Sequence, residues 1–355
     1  MIGVFVFWRR EVAEHEHHDA DKTLIEEAHE RFKQCQEAEK DQRIVSVEDL
    51  NFLNGEQWPD NIKTKRIADG RPCHTINRLP QFVRQTTNPQ RANRVSAQVL
   101  PVDSKGDIDT AEVLQGIIRH IEVQSNAAVA YDTAAFHAAA MGYGGWYITT
   151  EYSDPLSFDQ DIRIVRARNP FSIYLGPHQQ PDASDIDFGF ITEQFTKEEF
   201  KQSYPNADAS GLDDWKGEGD DEAEWVGQDG GVRVVRYYYR EYTSDNLWLV
   251  KMAEGPPLPI LQSQAKLISG FNENRIIQRR ETRIPYIKMA KLNAIEVLER
   301  NDWPGRWIPI VRVIGDEVEI EGKVHLSGIV RFAKDPQRRL NYTASAEIEA
   351  IALSP

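Results

Sequence analysis

One continuous stretch, residues 77–152, constrains the fold most, because two helical patterns run directly into a strand pattern. The first helix carries apolar side chains at three- and four-residue spacing: Leu114, Ile117, Ile118 and Ile121. Asp109 and Glu112 stand at its start as capping residues. An alanine-rich helix from about Asn126 to Met141 follows, and small side chains predict that the two helices pack closely as an antiparallel pair. Alternation from Trp146 to Tyr152 then predicts a strand.

Beyond this stretch the chain changes to short strand-like runs separated by Pro, Gly and Asp. They are Ile162–Ala167, Phe171–Leu175, Phe188–Phe195, Val232–Tyr242 and Arg283–Glu299. Thr196 with Glu199 forms a capping box for a short helix ending at Ser203. A hairpin is predicted to join Ile308–Ile314 to Glu317–Ile320 across Gly315-Asp316. The predicted class is α+β, with helical segments packed against a mainly antiparallel β-sheet.

Two further helices are predicted at the ends of the chain. The first begins at Thr23, whose hydroxyl caps the helix while Glu26 completes a capping box. Its narrow apolar stripe consists of Ile25, Ala28, Phe32 and Cys35. The last begins with Asp335 as N-cap and Pro336 at the first helical position. Its apolar stripe consists of Leu340, Ala344, Ile348 and Ile351.

Composition excludes several classes of function. The net charge of −14 argues against a protein that grips nucleic acid through a basic surface, although the part from Val232 onward is mildly basic. Cys35 and Cys73 are too far apart in sequence to suggest a zinc or disulfide framework. No apolar run is long enough to cross a membrane. Motifs of nucleotide-binding loops, dehydrogenases, zinc proteases and serine hydrolases do not occur, so no cofactor is predicted.

Two groups of residues suggest metal binding. His15, His17 and His18 lie close together, but a solvated N-terminal tail is the more ordinary interpretation. The acidic stretch 206–231 is predicted to be a solvated loop or boundary. Its clustered carboxylates could also bind Mg²⁺ or Ca²⁺, although their spacing does not match an EF-hand: Asp213, Asp214, Asp220, Asp221 and Glu222.

Three groups of basic residues are candidates for contact with nucleic acid. The first, near the end of residues 77–94, could contact DNA or make hydrogen bonds between elements: Asn88, Gln90, Arg91, Asn93 and Arg94. The second mixes Arg233, Arg236 and Arg240 with tyrosines, which is typical of single-strand binders and equally of a half-exposed strand.

The third group crowds the start of the last helix, where positive charge opposes the helix dipole. It consists of Lys334, Arg338 and Arg339. Either DNA in a channel or a carboxylate of a neighbouring subunit would explain these charges, and the sequence favours neither.

Several ordered motifs resemble the portal proteins of P22-like short-tailed bacteriophages. They are NRLPQFVRQ, TNPQRANR, TAEVLQGIIRHIE, QSNAAVAYDTA, FDQDIRI, WPGRWIPIV, GIVRFAKDPQR and SAEIEAIALSP, within residues 21–355. The resemblance implies a non-enzymatic subunit of a ring of about twelve copies at one vertex of the phage head. Double-stranded DNA is expected to pass through this ring without sequence specificity.

The resemblance also implies the partners and the location. They are the terminase large subunit during packaging, tail-completion or adaptor proteins afterwards, and the scaffolding and major capsid proteins. The subunit is expected in the virion, and in the host cytoplasm before assembly.

The predicted organisation has six parts. They are a divergent tail (1–20), a helical segment (21–142), a β-rich segment (143–205), the acidic loop (206–231), a second β-rich segment (232–327) and the start of a helical segment (328–355). Because portals continue past the SAEIEAIAL motif, we expect a truncated subunit with a portal-like core lacking its C-terminal part. Two alternative functions are a metal-dependent phage enzyme that processes nucleic acid through the acidic cluster, and a monomeric virion binding module.

Overall fold

The computed structural model describes residues 3–94, 96–101, 108–208, 215–221, 231–251, 257–265 and 275–353, with side chains described from residue 21 onward. The helices of these residues are α1 (Gly3–Asn54), α2 (Asp60–Ala68), α3 (Leu79–Ala92), α4 (Ile108–Gln124), α5 (Ala127–Met141), α6 (Lys197–Ser203), α7 (Gln262–Ala265) and α8 (Ile329–Leu353). None of them is long and apolar enough to cross a bilayer.

Eleven strands are described: β1 (Tyr143–Tyr152), β2 (Gln160–Arg166), β3 (Ile173–Leu175), β4 (Phe188–Phe195), β5 (Val232–Val250), β6 (Leu258–Leu261), β7 (Ile276–Leu292), β8 (Val297–Trp303), β9 (Ile310–Ile314), β10 (Asp316–Ile320) and β11 (Lys323–Ser327). They form a small sheet in the order β2-β1-β9, a larger sheet in the order β3-β4-β5-β7-β8 with β6 beside β5, and the separate pair β10-β11. All pairings are antiparallel. The predicted α+β class is therefore confirmed.

Helix α1 is longer than its capping signal predicted. The helix runs without interruption through Thr23, so the predicted start there is wrong, and the predicted boundary after residue 20 falls inside α1. The predicted stripe is correct in its main part, because Ala28, Phe32 and Cys35 are almost fully buried. A capping box stabilises a helix end only where the chain leaves the helix, and packing of the whole α1 face outweighs that local preference.

Two strand predictions were wrong, one in the pairing of the strands and one in their bounds. β9 pairs with β1, from Tyr143↔Ile314 to Tyr147↔Ile310, and does not form a hairpin with β10. The hairpin is instead β10-β11, which turns at Glu321 and Gly322 with positive φ angles of 51° and 76°. Two successive positive φ angles are the geometry of a tight hairpin turn, and Gly322 adopts that geometry without steric cost. The predicted run Arg283–Glu299 is likewise divided between β7 and β8.

Aromatic side chains fill the space between α1 and the larger sheet. Phe32 packs on Tyr174 and Phe190 with ring centroids 4.4 and 5.3 Å away, and on Trp215 at 5.1 Å. All four residues are at most 1% exposed. Trp215 belongs to the stretch predicted to be a solvated acidic loop: Trp215 and Asp220 are buried, while Lys216, Glu218 and Asp221 are exposed as expected for such a loop.

Helix α5 lies at the centre of the part of the molecule that contains the small sheet and helices α3, α4 and α8. It contacts β1, β2, α1, α3 and α8 as well as α4. Its alanines permit a close approach by glycines: a Cβ on Gly144 would lie 2.3 Å from the Ala134 carbonyl oxygen, and one on Gly328 would lie 2.4 Å from Ala140. The predicted α4–α5 pair is therefore only part of the packing of α5.

Helix α4 buries less than its sequence pattern predicted. Only Ala111 is fully buried, while Leu114 and Ile117 of the predicted stripe are 46% and 49% exposed. Asp109 lies within its first turn instead of capping it.

Helix α8 begins six residues before the predicted N-cap, and Pro336 lies inside it, so the predicted start is wrong. Its buried residues are mainly polar: Val330, Lys334, Gln337, Asn341 and Ser345. The apolar stripe is largely exposed, with Ile351 at 74%. Hydrogen bonds explain the buried side, because Asn341 accepts from the Ile76 amide and donates to Gln57, and Ser345 accepts from the His74 amide.

Candidate interaction surfaces

The buried face of α8 carries an ion-pair network with α1. The Lys334 ammonium lies 2.7 Å from Asp49 and 3.1 Å from Glu48, and Arg331 donates to the other oxygen of Asp49 at 2.8 and 3.0 Å. Arg338 contacts Glu48 at 3.6 Å and lies over the Phe52 ring at 5.2 Å. The Asp49 side chain is 0% exposed. Carboxylates of the same chain therefore neutralise two of the three basic residues predicted to contact DNA or a neighbouring subunit.

Arg339 is the member of this group that faces solvent, and it has no ion pair with any described residue. The network on α8 explains why positive charge is tolerated near the helix start: Asp49 and Glu48 supply the opposite charge. The only sequence signal for this arrangement is the acidic pair Glu48-Asp49, which resembles ordinary surface charge when read alone.

The first predicted basic group lies in the last turn of α3, which ends at Ala92, and in the two residues after it. Arg91 and Arg94 both point towards Asp132 on α5, at 3.5 and 3.7 Å, and remain 45% and 60% exposed. A 520 Å³ cleft lies beside them, lined in part by Gln90, Arg94, Glu122, Tyr131 and Asp132. Exposed pairs of this length contribute little to stability, so both guanidinium groups remain available to a partner.

The basic and aromatic residues of β5 are largely internal. Tyr237, Tyr238 and Tyr239 are at most 8% exposed. Arg236 pairs with Glu193 at 2.7 Å, and Arg240 lies 3.4 Å from Asp187. A single strand of nucleic acid needs exposed rings on which its bases stack, so this segment supports the strand interpretation.

Asp220 belongs to the acidic cluster, and its side chain has a structural role. Its carboxylate accepts hydrogen bonds from Arg233 at 2.6 Å, from Thr192 at 2.7 Å, and from Asn169 and Tyr174 at 3.1 and 3.2 Å. Burial raises the pKa of the Asp220 carboxyl, while the Arg233 charge and the Thr192 hydroxyl oppose that rise. The side chain is 2% exposed, so its oxygens are already occupied by donors of the protein.

The other predicted metal ligands do not form a site that the structure describes. Asp213, Asp214 and Glu222 lie outside the described residues, as do the side chains of His15, His17 and His18. Asp221 is exposed and pairs with Lys216 at 3.2 Å. Within the described residues, no three His, Cys, Asp or Glu side chains are grouped to hold a metal ion.

Two exposed features were missed by the sequence patterns. β7 extends past the end of its neighbour β8, with Arg279, Arg280 and Arg283 on the part that β8 does not cover. The β10-β11 hairpin stands apart from both sheets. The sequence signal that could have found the first is RRETR at residues 279–283, which is too polar on both faces for a strand inside a sheet.

Most of the described polar clusters act within the chain, and its exposed features include apolar faces and strand edges, which are surfaces of the kind that proteins use for assembly. A model of the phage P22-like portal protein family matches residues 29–355. The match covers most of the chain, so the chain belongs to that family, whose members are structural proteins of the portal vertex of the virion. Membership also implies an oligomeric ring and, in general terms, contacts with capsid and terminase.

Proposed function

We propose that this chain assembles into a ring of about twelve copies through which double-stranded DNA is packaged and ejected. The observation that carries the proposal is the family match over residues 29–355. The partners are the terminase large subunit during packaging, scaffolding and major capsid proteins at the vertex, and tail-completion or adaptor proteins afterwards. The subunit resides in the host cytoplasm before assembly and in the virion thereafter.

The distribution of charge supports a passage that does not hold DNA tightly. The net charge is −14, and Lys334 and Arg338 are paired with carboxylates of α1. Each lysine or arginine that neutralises a phosphate adds affinity, and tight binding would stop the duplex from sliding. Contacts with DNA are therefore few, salt-dependent and independent of base sequence.

Arg91, Arg94 and Arg339 are the predicted basic residues that remain exposed, and we assign them contact with DNA or with a carboxylate of a neighbouring subunit. Replacing Arg339 by Glu is expected to weaken DNA retention or ring formation while leaving the unfolding temperature unchanged. Replacing Lys334 by Ala should instead lower the unfolding temperature, because Asp49 loses a buried partner. Equal effects of the two variants on stability would contradict this assignment.

The test of the proposed function is the mass of the purified chain in concentrated solution. Light scattering coupled to size exclusion, followed by negative-stain imaging, is expected to show rings of about a dozen copies. A folded monomer at every concentration would contradict ring assembly by this chain and favour a monomeric binding module.

A further inference from the structure

The outer part of β7 has one edge without a strand partner among the described residues. β5 pairs with β7 over nearly its whole length on one side, whereas β8 pairs on the other side only from Ile287 to Leu292. The segment Ile276–Tyr286 therefore presents backbone C=O groups and, except at Pro285, N–H groups along one edge. At about 3.4 Å per residue, this edge is about 37 Å long. An unpaired edge of this length is a template for the addition of another strand.

This edge is basic, and it also carries apolar side chains. Glu281 is its one acidic residue. Four arginines lie on the edge or next to it: Arg275, Arg279, Arg280 and Arg283. Ile277 and Tyr286 are 56% and 49% exposed. Arg279 and Arg283 lie over the rings of Trp248 and Tyr242, whereas Arg275 and Arg280 make no ion pair or ring contact with any described residue.

The β10-β11 hairpin has the opposite charge. It contains four acidic residues and one lysine: Asp316, Glu317, Glu319, Glu321 and Lys323. Val318, Ile320 and Val324 are each more than half exposed, and every residue of β10 is exposed. A two-stranded hairpin is marginal in water by itself, and this hairpin joins neither sheet of the chain. The outer edge of β10 is therefore open to a further strand among the described residues, whereas the β11 edge is occupied at Leu326, whose amide and carbonyl both bond to the Gln42 side chain.

The two features belong to different parts of the molecule. The hairpin follows β9 of the small sheet, and its base is fixed where the Gly315 amide donates to the Gly142 carbonyl at 2.7 Å. The β7 edge belongs to the larger sheet. A contact between two different surfaces of identical chains is heterologous, and repeated contacts of this kind close into a ring when the rotation permits.

We propose that β10 of one copy pairs along the Ile276–Tyr286 edge of β7 of the next copy, with the hairpin carboxylates beside the β7 arginines. The occupant of both surfaces is a second copy of this chain, so the inference rests on the proposed ring. Charge makes the contact selective, because two β7 edges repel each other, as do two hairpins. The backbone edges supply hydrogen bonds, and the exposed apolar side chains of both elements are covered.

Charge reversal tests this contact. One variant carries Arg275→Glu and Arg280→Glu, and a second carries Glu317→Lys and Glu319→Lys. All four side chains lack an ion pair with any described residue, so the fold is expected to remain intact. The matched control reverses two exposed lysines of α2, with Lys63→Glu and Lys65→Glu.

The expected result is a loss of the ring fraction of at least about tenfold for each of the first two variants, with the control forming rings like the natural chain. An equimolar mixture of the two variants should form rings that contain both, because the acidic edge of one accepts the basic hairpin of the other. A single chain carrying all four substitutions should also recover rings. Recovery cannot come from a misfolded variant, so it separates lost contact from lost fold.

Other outcomes contradict the proposal. Rings formed by the separate variants as readily as by the natural chain would exclude this contact and leave ring assembly standing. Loss of rings without recovery on mixing would exclude the strand pairing in the same way. A natural chain that stays monomeric at high concentration would contradict both this contact and the proposed function.

Discussion

At the scale of single residues, buried charge has the largest energetic consequence in this protein. Asp220 and Arg233 form a pair whose side chains are 2% and 3% exposed, and Asp49 pairs with Lys334 and Arg331 at 0% exposure. Removing one partner of such a pair leaves an ionised group in a medium that solvates it poorly. These residues stabilise the fold, although the sequence alone presented three of them as candidates for ligand binding: Asp220, Arg233 and Lys334.

Replacing Asp220 by Ala is expected to lower the free energy of unfolding by about 3–5 kcal/mol, because Arg233 loses its buried partner. Denaturant unfolding measures this loss. The matched control is Asp221→Ala, whose side chain is 81% exposed and whose pair with Lys216 contributes at most about 1 kcal/mol. A similar small effect for both variants would contradict the structural role of Asp220 and reopen a role in metal binding.

His137 on α5 is expected to make stability depend on pH. Burial, with a smaller contribution from the Arg166 charge, lowers the pKa of His137 to about 4. Below its ordinary pKa of about 6.5 the unfolded chain takes up a proton that the folded chain does not, so stability falls from pH 6.5 towards pH 4. The loss amounts to about 3 kcal/mol when the shift is converted at about 1.4 kcal/mol per pKa unit.

Thermal unfolding of the natural chain and of His137→Gln between pH 4 and pH 7 isolates this contribution, because the other titrating groups are common to both. The variant should lose less stability on acidification. The control His120→Gln changes an exposed histidine and should follow the natural chain. Parallel pH profiles for all three proteins would contradict the assignment.

At the scale of elements, close backbone approach decides how α5 is held. Its alanine side chains leave room for β1 and for the segment before α8, where Gly144 and Gly328 come within contact of the helix backbone. The alanines were visible in the sequence, but the sequence predicted only one of their neighbours, α4. Alanine permits close packing against any element, so composition alone does not select α4, β1 or α8 as the partner.

Replacing Gly144 by Ala is expected to destabilise the protein by at least about 1–3 kcal/mol, because the added methyl would overlap the backbone of Ala134. Gly116 of α4 is the matched control, since nothing lies within 4 Å of a Cβ at that position. Gly116→Ala should raise stability by about 0.5–1 kcal/mol through helix propensity. Opposite signs in denaturant unfolding would support this packing, and a neutral Gly144 variant would contradict it.

At the scale of the whole molecule, α1 links the larger sheet to helix α8. Its middle packs on the larger sheet through Phe32, and Arg43 donates to the carbonyl oxygens of Phe171 and Ile173 at 2.7 and 2.6 Å. Its last turns contact α8 through Asp49 and Phe52. The α4 face, the β7 edge and the β10-β11 hairpin are among the described surfaces that this internal network leaves exposed for assembly.

Ring assembly is expected to weaken as salt is added, because exposed opposite charges are screened. Raising NaCl from about 0.05 M to about 0.5 M should lower the ring fraction measured by light scattering. Assembly driven mainly by the exposed apolar face of α4, where Leu114 and Ile117 lie, would be insensitive to NaCl and strengthened by sulfate. That second outcome would contradict a dominant contact between β7 and β10.

The sequence by itself determined the features that depend on near neighbours. β4 spans the predicted Phe188–Phe195, and the capping box of Thr196 and Glu199 begins α6 as expected, because alternation and capping act within a few residues. Ordered motifs along the chain likewise pointed to the portal family. Local preferences thus defined the element types and the α+β class, and the resemblance of the motifs indicated the family.

Only the tertiary structure decided the features that depend on distant residues. β9 pairs with β1 across more than 150 residues, α1 continues through Thr23, and α8 buries Lys334 and Asn341 instead of its apolar stripe. Each outcome depends on a partner that no local window contains: Tyr143–Tyr147 for β9, the larger sheet for α1, and Asp49 with the Ile76 amide for α8. A buried polar side chain is stable only where such partners complete its hydrogen bonds, and their positions are set by the folded chain as a whole.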